Sequence, residues 1–146
     1  MDHNLVVTGA ADINASPEKV WKVMTDPEII KEYLFGTDTV TDWKIGSEII
    51  FQGEYGERLE HSYRDKGVVL ENIPYQKISY SYWSGFSGLE DKPENYSTVT
   101  YLIDKKDDNQ TTLTWIQRGY PTEQAQQHGQ SGMEAFMAQI KGIAER

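Results

Sequence analysis

The sequence predicts an α+β domain: a curved antiparallel sheet of about seven strands wrapped around one long C-terminal helix, with two short helices after the first strand. Three observations carry this. Between residues 38 and 118, β-branched and aromatic runs with a period of two alternate with turn residues. Beyond residue 121 the period becomes that of an amphipathic helix rich in Gln, Ala, Glu and Met. Between these regions and the N-terminus, two helix-start signals, Ser16-Pro17-Glu18 and Asp26-Pro27-Glu28, follow each other closely.

Taken in order, Leu5 to Ala15 carries Val and Thr and reads as a strand. Ser16 is placed to cap the next segment, Pro17 suits its first helical position, and Glu18 faces the positive end of the helix dipole. Val20, Trp21, Val23 and Met24 give that helix an apolar face. A second short helix covers Ile29, Ile30 and Tyr33. Six strands are expected over Thr37–Trp43, Glu48–Tyr55, Ser62–Ile73, Lys77–Trp83, Ser97–Ile103 and Thr111–Arg118. Their short links favour an antiparallel meander. The last segment, Pro121 to Arg146, places Met133, Phe136, Met137, Ile140 and Ala144 on one helical face, which the sheet must cover. Gly129 and Gly132 are expected to loosen its first half.

At 146 residues the chain is expected to be a single domain, 1–146, able to bury a sizeable core. Its formal net charge is -9, from 14 Lys and Arg against 23 Asp and Glu. The densest basic spot, Lys105-Lys106, sits among Asp104, Asp107 and Asp108. Nucleic acid and anionic membranes, which need clustered cations, are therefore excluded as partners. Apolar runs such as Val68-Val69-Leu70 are too short for membrane insertion. The absence of Cys removes disulfides, thiol nucleophiles and Cys-based zinc sites. Met1 to Asn4 lacks the basic and apolar regions of a signal peptide. The expected location is cytoplasmic.

The aromatic residues carry the functional reading. There are 4 Trp, 9 Tyr and 4 Phe, and on the strands they alternate with polar residues. Ile78, Tyr80 and Tyr82 share a face, as do Val99 and Tyr101, Leu113 and Trp115, and Ile49, Phe51 and Tyr55. If these faces point inward, rings line a pocket floored by Met133, Phe136 and Met137, with tyrosine hydroxyls as polar handles for a ligand or water. The competing reading is a packed core. The set as a whole favours a pocket, because a curved sheet and a straight helix diverge at one end. The loop Gly85–Pro93 holds Phe86 between glycines and reads as a lid over the opening or as a plain surface loop. His61, near Glu60 and Tyr63, is a candidate for the pocket edge or an exposed strand end. His3, His61 and His128 are far apart, with no HExxH motif and no G-x-S-x-G elbow, so no metal, cofactor or catalytic set is expected.

Four segments point to a family. Ile13 to Glu28 (INASPEKVWKVMTDPE) resembles the opening of the family related to the activator of the heat-shock-protein-90 ATPase, within the START-like, birch-pollen-allergen-like (SRPBCC) superfamily. Asp42 to Phe51 is similar to its second and third strands, Gly67 to Tyr80 to its G-x-V-L-E-x-x-P-x-x-x-L-x-Y stretch, and Ser97 to Tyr101 to its next strand. The resemblance covers nearly the whole chain and implies the helix-grip fold. Two positions depart from it: Met133 follows Gly132 where the family often has Trp, and Tyr33 stands where it favours Trp. The resemblance also implies an acidic residue at Glu71, which with Arg118 is a charged candidate for an inward-facing pair, solvent being the alternative. The function it implies is binding of a small hydrophobic molecule or lipid. A chaperone-interaction module, or a homodimer, is the first alternative, although the founding activator's separate chaperone-contact domain has no room here. A cyclase- or hydratase-like enzyme using His61, Glu71, Arg118 or the tyrosines is the second.

Overall fold

The computed structural model describes residues 1–146. Its elements run β1 (Asp2–Ile13), α1 (Pro17–Thr25), α2 (Pro27–Tyr33), β2 (Asp38–Val40), β3 (Glu48–Tyr55), β4 (His61–Ile73), β5 (Lys77–Tyr82), β6 (Ser97–Asp107), β7 (Gln110–Tyr120) and α3 (Glu123–Ala144). The strands form one seven-stranded sheet in the order β1-β7-β6-β5-β4-β3-β2, with antiparallel pairing throughout. Only β1 departs from sequence order. It closes onto β7 at one edge, and α1 and α2 then carry the chain across to β2 at the other.

The helix starts follow the chemistry of their caps. Ser16 Oγ accepts from the Lys19 amide at 3.2 Å, Asp26 Oδ1 from Glu28 at 2.9 Å and Thr122 Oγ1 from Ala125 at 3.1 Å. Each satisfies an amide that the first helical turn leaves free. α3 is continuous through Gly129 and Gly132. It lies close against β1, where a Cβ on Gly9 would stand 2.3 Å from Met133 Cγ, so the absent side chain sets the distance between helix and strand. Met133, Met137, Ile140 and Ala144 are buried, together with Val7, Val20, Val23, Ile78, Val99 and Leu113.

Two local departures from simple alternation matter. The expected strand Thr37–Trp43 shrinks to Asp38–Val40. Thr41 Oγ1 accepts from the Trp43 amide at 3.1 Å, and Trp43 takes a left-handed φ of 63°. That turn sends the indole N–H to the Thr25 carbonyl at 3.0 Å, against the end of α1. The second departure is in β4, where the register to β5 shifts between Val69 and Glu71. One extra residue on β4 reverses the faces beyond it. Just before the shift, Gly67 lets the backbones meet: a Cβ there would lie 1.6 Å from the Ser81 carbonyl oxygen.

Candidate functional site

The concave face of the sheet, the N-terminal half of α3 and the turn after α2 enclose a cavity of about 350 Å³. Eleven of its 15 lining residues are hydrophobic. That volume lies in the usual range for small-molecule sites and is roughly twice that of an engineered apolar cavity that takes up benzene. Leu34 and Phe35 in the turn after α2, Met133 and Phe136 of α3 and the inward rings of the sheet border the space. Phe35 is 87% exposed and marks the mouth.

Six of the ten residues expected to line a pocket meet here: Phe51, Tyr80, Tyr82, Trp115, Met133 and Phe136. Their rings form a chain. Phe51 lies 5.6 Å from Tyr80 and 5.9 Å from Tyr82, and Phe136 stands edge-on to Trp115 at 4.9 Å. Tyr101 lies behind this layer, in contact with Tyr80 and Trp115. Met137 points into the seam with Gly9 of β1. Tyr55 and Phe86 sit outside, in an aromatic cluster with Tyr63 and His61. The loop read as a lid or as a plain surface loop contains 3-10 turns at Gly85–Ser87 and Pro93–Asn95, and Phe86 is 65% exposed.

The polar candidates fall elsewhere. His61 is exposed and stacks on Tyr55 at 5.0 Å. Arg118 is exposed on β7. Glu71 pairs with Lys77 at 3.1 Å on the outer face, because the register shift at Leu70 turns it out of the concave side. The inward Glu71–Arg118 pair does not form. No three His, Asp or Glu side chains come together as a metal-ligating group.

The charged group in the cavity wall is instead Asp65, 7% exposed. Period-two counting back from Val69 through Gly67 reaches Asp65 and then Tyr63, so its place was open to the same reasoning as the rings. Asp65 Oδ2 accepts from the Tyr82 hydroxyl at 2.5 Å. Oδ1 is buried with no partner, as is the indole N–H of Trp115. The tyrosine hydroxyls, expected as handles for a ligand, are taken by protein groups. Tyr80 and Tyr101 bond each other at 2.5 Å, Tyr33 donates to the Val23 carbonyl at 2.9 Å, and Tyr63 pairs with Thr37. Burial raises the pKa values of Tyr33, Tyr80 and Tyr101, and burial together with the Asp65 charge raises that of Tyr82. All four stay neutral at physiological pH. The cavity therefore has mostly apolar walls; within them Asp65 Oδ1 and the Trp115 indole N–H are buried without partners, and Gln117 and the Tyr120 hydroxyl add further polar atoms.

The model of the family described as Activator of Hsp90 ATPase homolog 1-like protein matches residues 14–145. No curated protein matches the chain. Among solved structures, protein ChR145 from Cytophaga hutchinsonii is 35% identical with a TM-score of 0.82, over 99% of this chain and 97% of its own. The Aha1 dimer from Colwellia psychrerythraea is 19% identical, TM-score 0.72, over 96% of each chain. An HSP90 activator from Plasmodium falciparum is 19% identical, TM-score 0.71, over 95% of each chain. The last two speak to the fold alone, which is the helix-grip arrangement of the START-like superfamily. With residues 14–145 matched, the chain belongs to the Activator of Hsp90 ATPase homolog 1-like family.

Proposed function

We propose that this protein binds one small, mostly apolar molecule between its sheet and α3, and that it does so in the cytoplasm. The observation that carries the reading is the apolar cavity of about 350 Å³, which the rings of Phe51, Trp115 and Phe136 border without filling. Two further features support it. Asp65 Oδ1 and the Trp115 indole N–H are buried without partners, and such groups are destabilising unless something completes their hydrogen bonds. A bound molecule with one or two polar atoms and a hydrocarbon or aromatic body satisfies both the walls and these groups. The reading is tested with Nile red, a neutral apolar dye. Saturable one-to-one binding that weakens in Trp115→Ala supports it, and the absence of saturable binding contradicts it.

A second reading rests on a separate observation. Phe35 and Leu59 are strongly exposed and border one depression outside the cavity mouth whose other lining is mostly polar, and large apolar side chains exposed within a polar rim suit a protein partner. The family description and the Plasmodium falciparum relative make a chaperone ATPase the partner to try. ATPase stimulation by this protein, lost in Phe35→Ser, would favour that role. Unchanged ATPase turnover would remove it.

A further inference from the structure

We propose that the molecule held in the cavity is a monocationic amine, its ammonium group paired with the Asp65 carboxylate and its apolar body among Phe51, Met133 and Phe136. The inference rests on the ligand-binding reading and names the class of ligand.

It starts from charge. Asp65 is the only ionisable acid in the cavity wall, and no Lys, Arg or His lines the cavity. The cations beside it in sequence are committed elsewhere. Arg64 pairs with Glu48 at 3.2 Å and Lys66 with Asp91 at 2.5 Å, and alternation directs both away from the concave face. Inside the fold the Asp65 carboxylate receives a single hydrogen bond, from Tyr82. A buried carboxylate left with one neutral donor is destabilising, and an ammonium group supplies both the missing hydrogen bond and the missing charge.

The surroundings suit a cation as well. In strand register Phe51 stands directly opposite Asp65, and its ring lies 5.9 Å from that of Tyr82, the residue bonded to Asp65. An ammonium beside Asp65 thus has two aromatic rings in its neighbourhood, a setting that favours cations. A carboxylate or phosphate ligand would meet Asp65 with like charge. The net charge of -9 favours the approach of cations over anions. The cavity volume of about 350 Å³ admits a small fused-ring body with a short chain.

Three ligands of one skeleton test the assignment by calorimetry: 2-(2-naphthyl)ethylamine, 2-(2-naphthyl)ethanol and 2-naphthylacetic acid. The amine is expected to bind about tenfold or more tightly than the alcohol, as a charge-assisted hydrogen bond implies, and the acid is expected not to bind. In Asp65→Asn the tenfold preference for the amine over the alcohol should disappear, and a cooperative thermal unfolding transition shows that the variant is folded. An alcohol that binds as well as the amine, or an amine preference that survives in Asp65→Asn, overturns the assignment and leaves the cavity as a binding site for neutral molecules. If none of the three binds but Nile red does, the amine class alone fails. If Nile red also fails, the ligand-binding reading falls with it. Selectivity in the unmodified protein decides the question even if the variant does not fold.

Discussion

Tyr80 and Tyr101 make the sharpest energetic prediction. Their hydroxyls share one hydrogen bond at 2.5 Å, and the two residues are 3% and 5% exposed. Changing either to Phe keeps the ring and strands the partner hydroxyl, and leaving a buried polar group unmade costs about 1–3 kcal/mol. The two changes are not equivalent. Tyr80 borders the cavity and Tyr101 lies behind it, so after Tyr101→Phe the remaining hydroxyl can reach a cavity water. After Tyr80→Phe the remaining one cannot. We expect about 1 kcal/mol for Tyr101→Phe and about 2–3 kcal/mol for Tyr80→Phe. The double change removes both hydroxyls and should be less destabilising than the sum, giving a coupling of about 1–2 kcal/mol. Urea unfolding of the four proteins measures this directly. Single changes each below about 0.5 kcal/mol, or a double change equal to the sum, would refute the claim that the two hydroxyls satisfy each other in a dry layer behind the cavity.

Other outcomes follow from the same packing. Phe136→Ala removes edge contacts to Trp115 at 4.9 Å and Tyr33 at 5.9 Å; because the ring is half-buried, about 2 kcal/mol is expected, a melting-temperature drop of roughly 4–8 °C by calorimetry. Gly67→Ala forces a Cβ to 1.6 Å from the Ser81 backbone oxygen, so a loss of about 3 kcal/mol or more is expected, and a near-normal melting temperature would mean that β4 and β5 are further apart. The buried tyrosines predict the alkaline limit. Tyr33, Tyr80 and Tyr101 have raised pKa values in the fold against an ordinary 10.0. Their contribution to stability is intact below pH 10 and is lost as pH rises beyond it, because the unfolded chain releases those protons first. Their tyrosinate absorbance should appear together with unfolding; ionisation in the folded state would contradict their burial.

The architecture was legible because each element carries its own signal. The Pro17 and Pro27 helix starts, the alternation in β3 to β7 and the apolar stripe of α3 all lie within short windows of chain. The polar site was less legible for a physical reason. Glu71 lies in phase with Val69 by simple counting, and one inserted residue at Leu70 moves it to the outer face. A bulge is a property of how two strands pair, and neither strand displays it alone. Asp65 lies before the bulge and keeps its phase, so alternation alone places it on the inner face. Tyr55 was misplaced for a third reason. Alternation assigns a face, but the cavity stops short of the far end of β3, where the sheet extends beyond the cover of α3.

The most direct test of the central claim is a proton–nitrogen correlation NMR titration with 2-(2-naphthyl)ethanol, a neutral ligand that tests the cavity without pairing a charge with Asp65. The indole N–H of Trp115 is buried in the cavity wall without a partner, which makes it a local reporter. The account predicts that this resonance and the amides of Asp65, Val99 and Gly129 shift together and saturate at one equivalent, while Thr98 and Thr100 on the convex face stay still. A Trp115 resonance that does not move, or shifts confined to the exposed Phe35 and Leu59 surface, would show that the cavity is not where this protein binds.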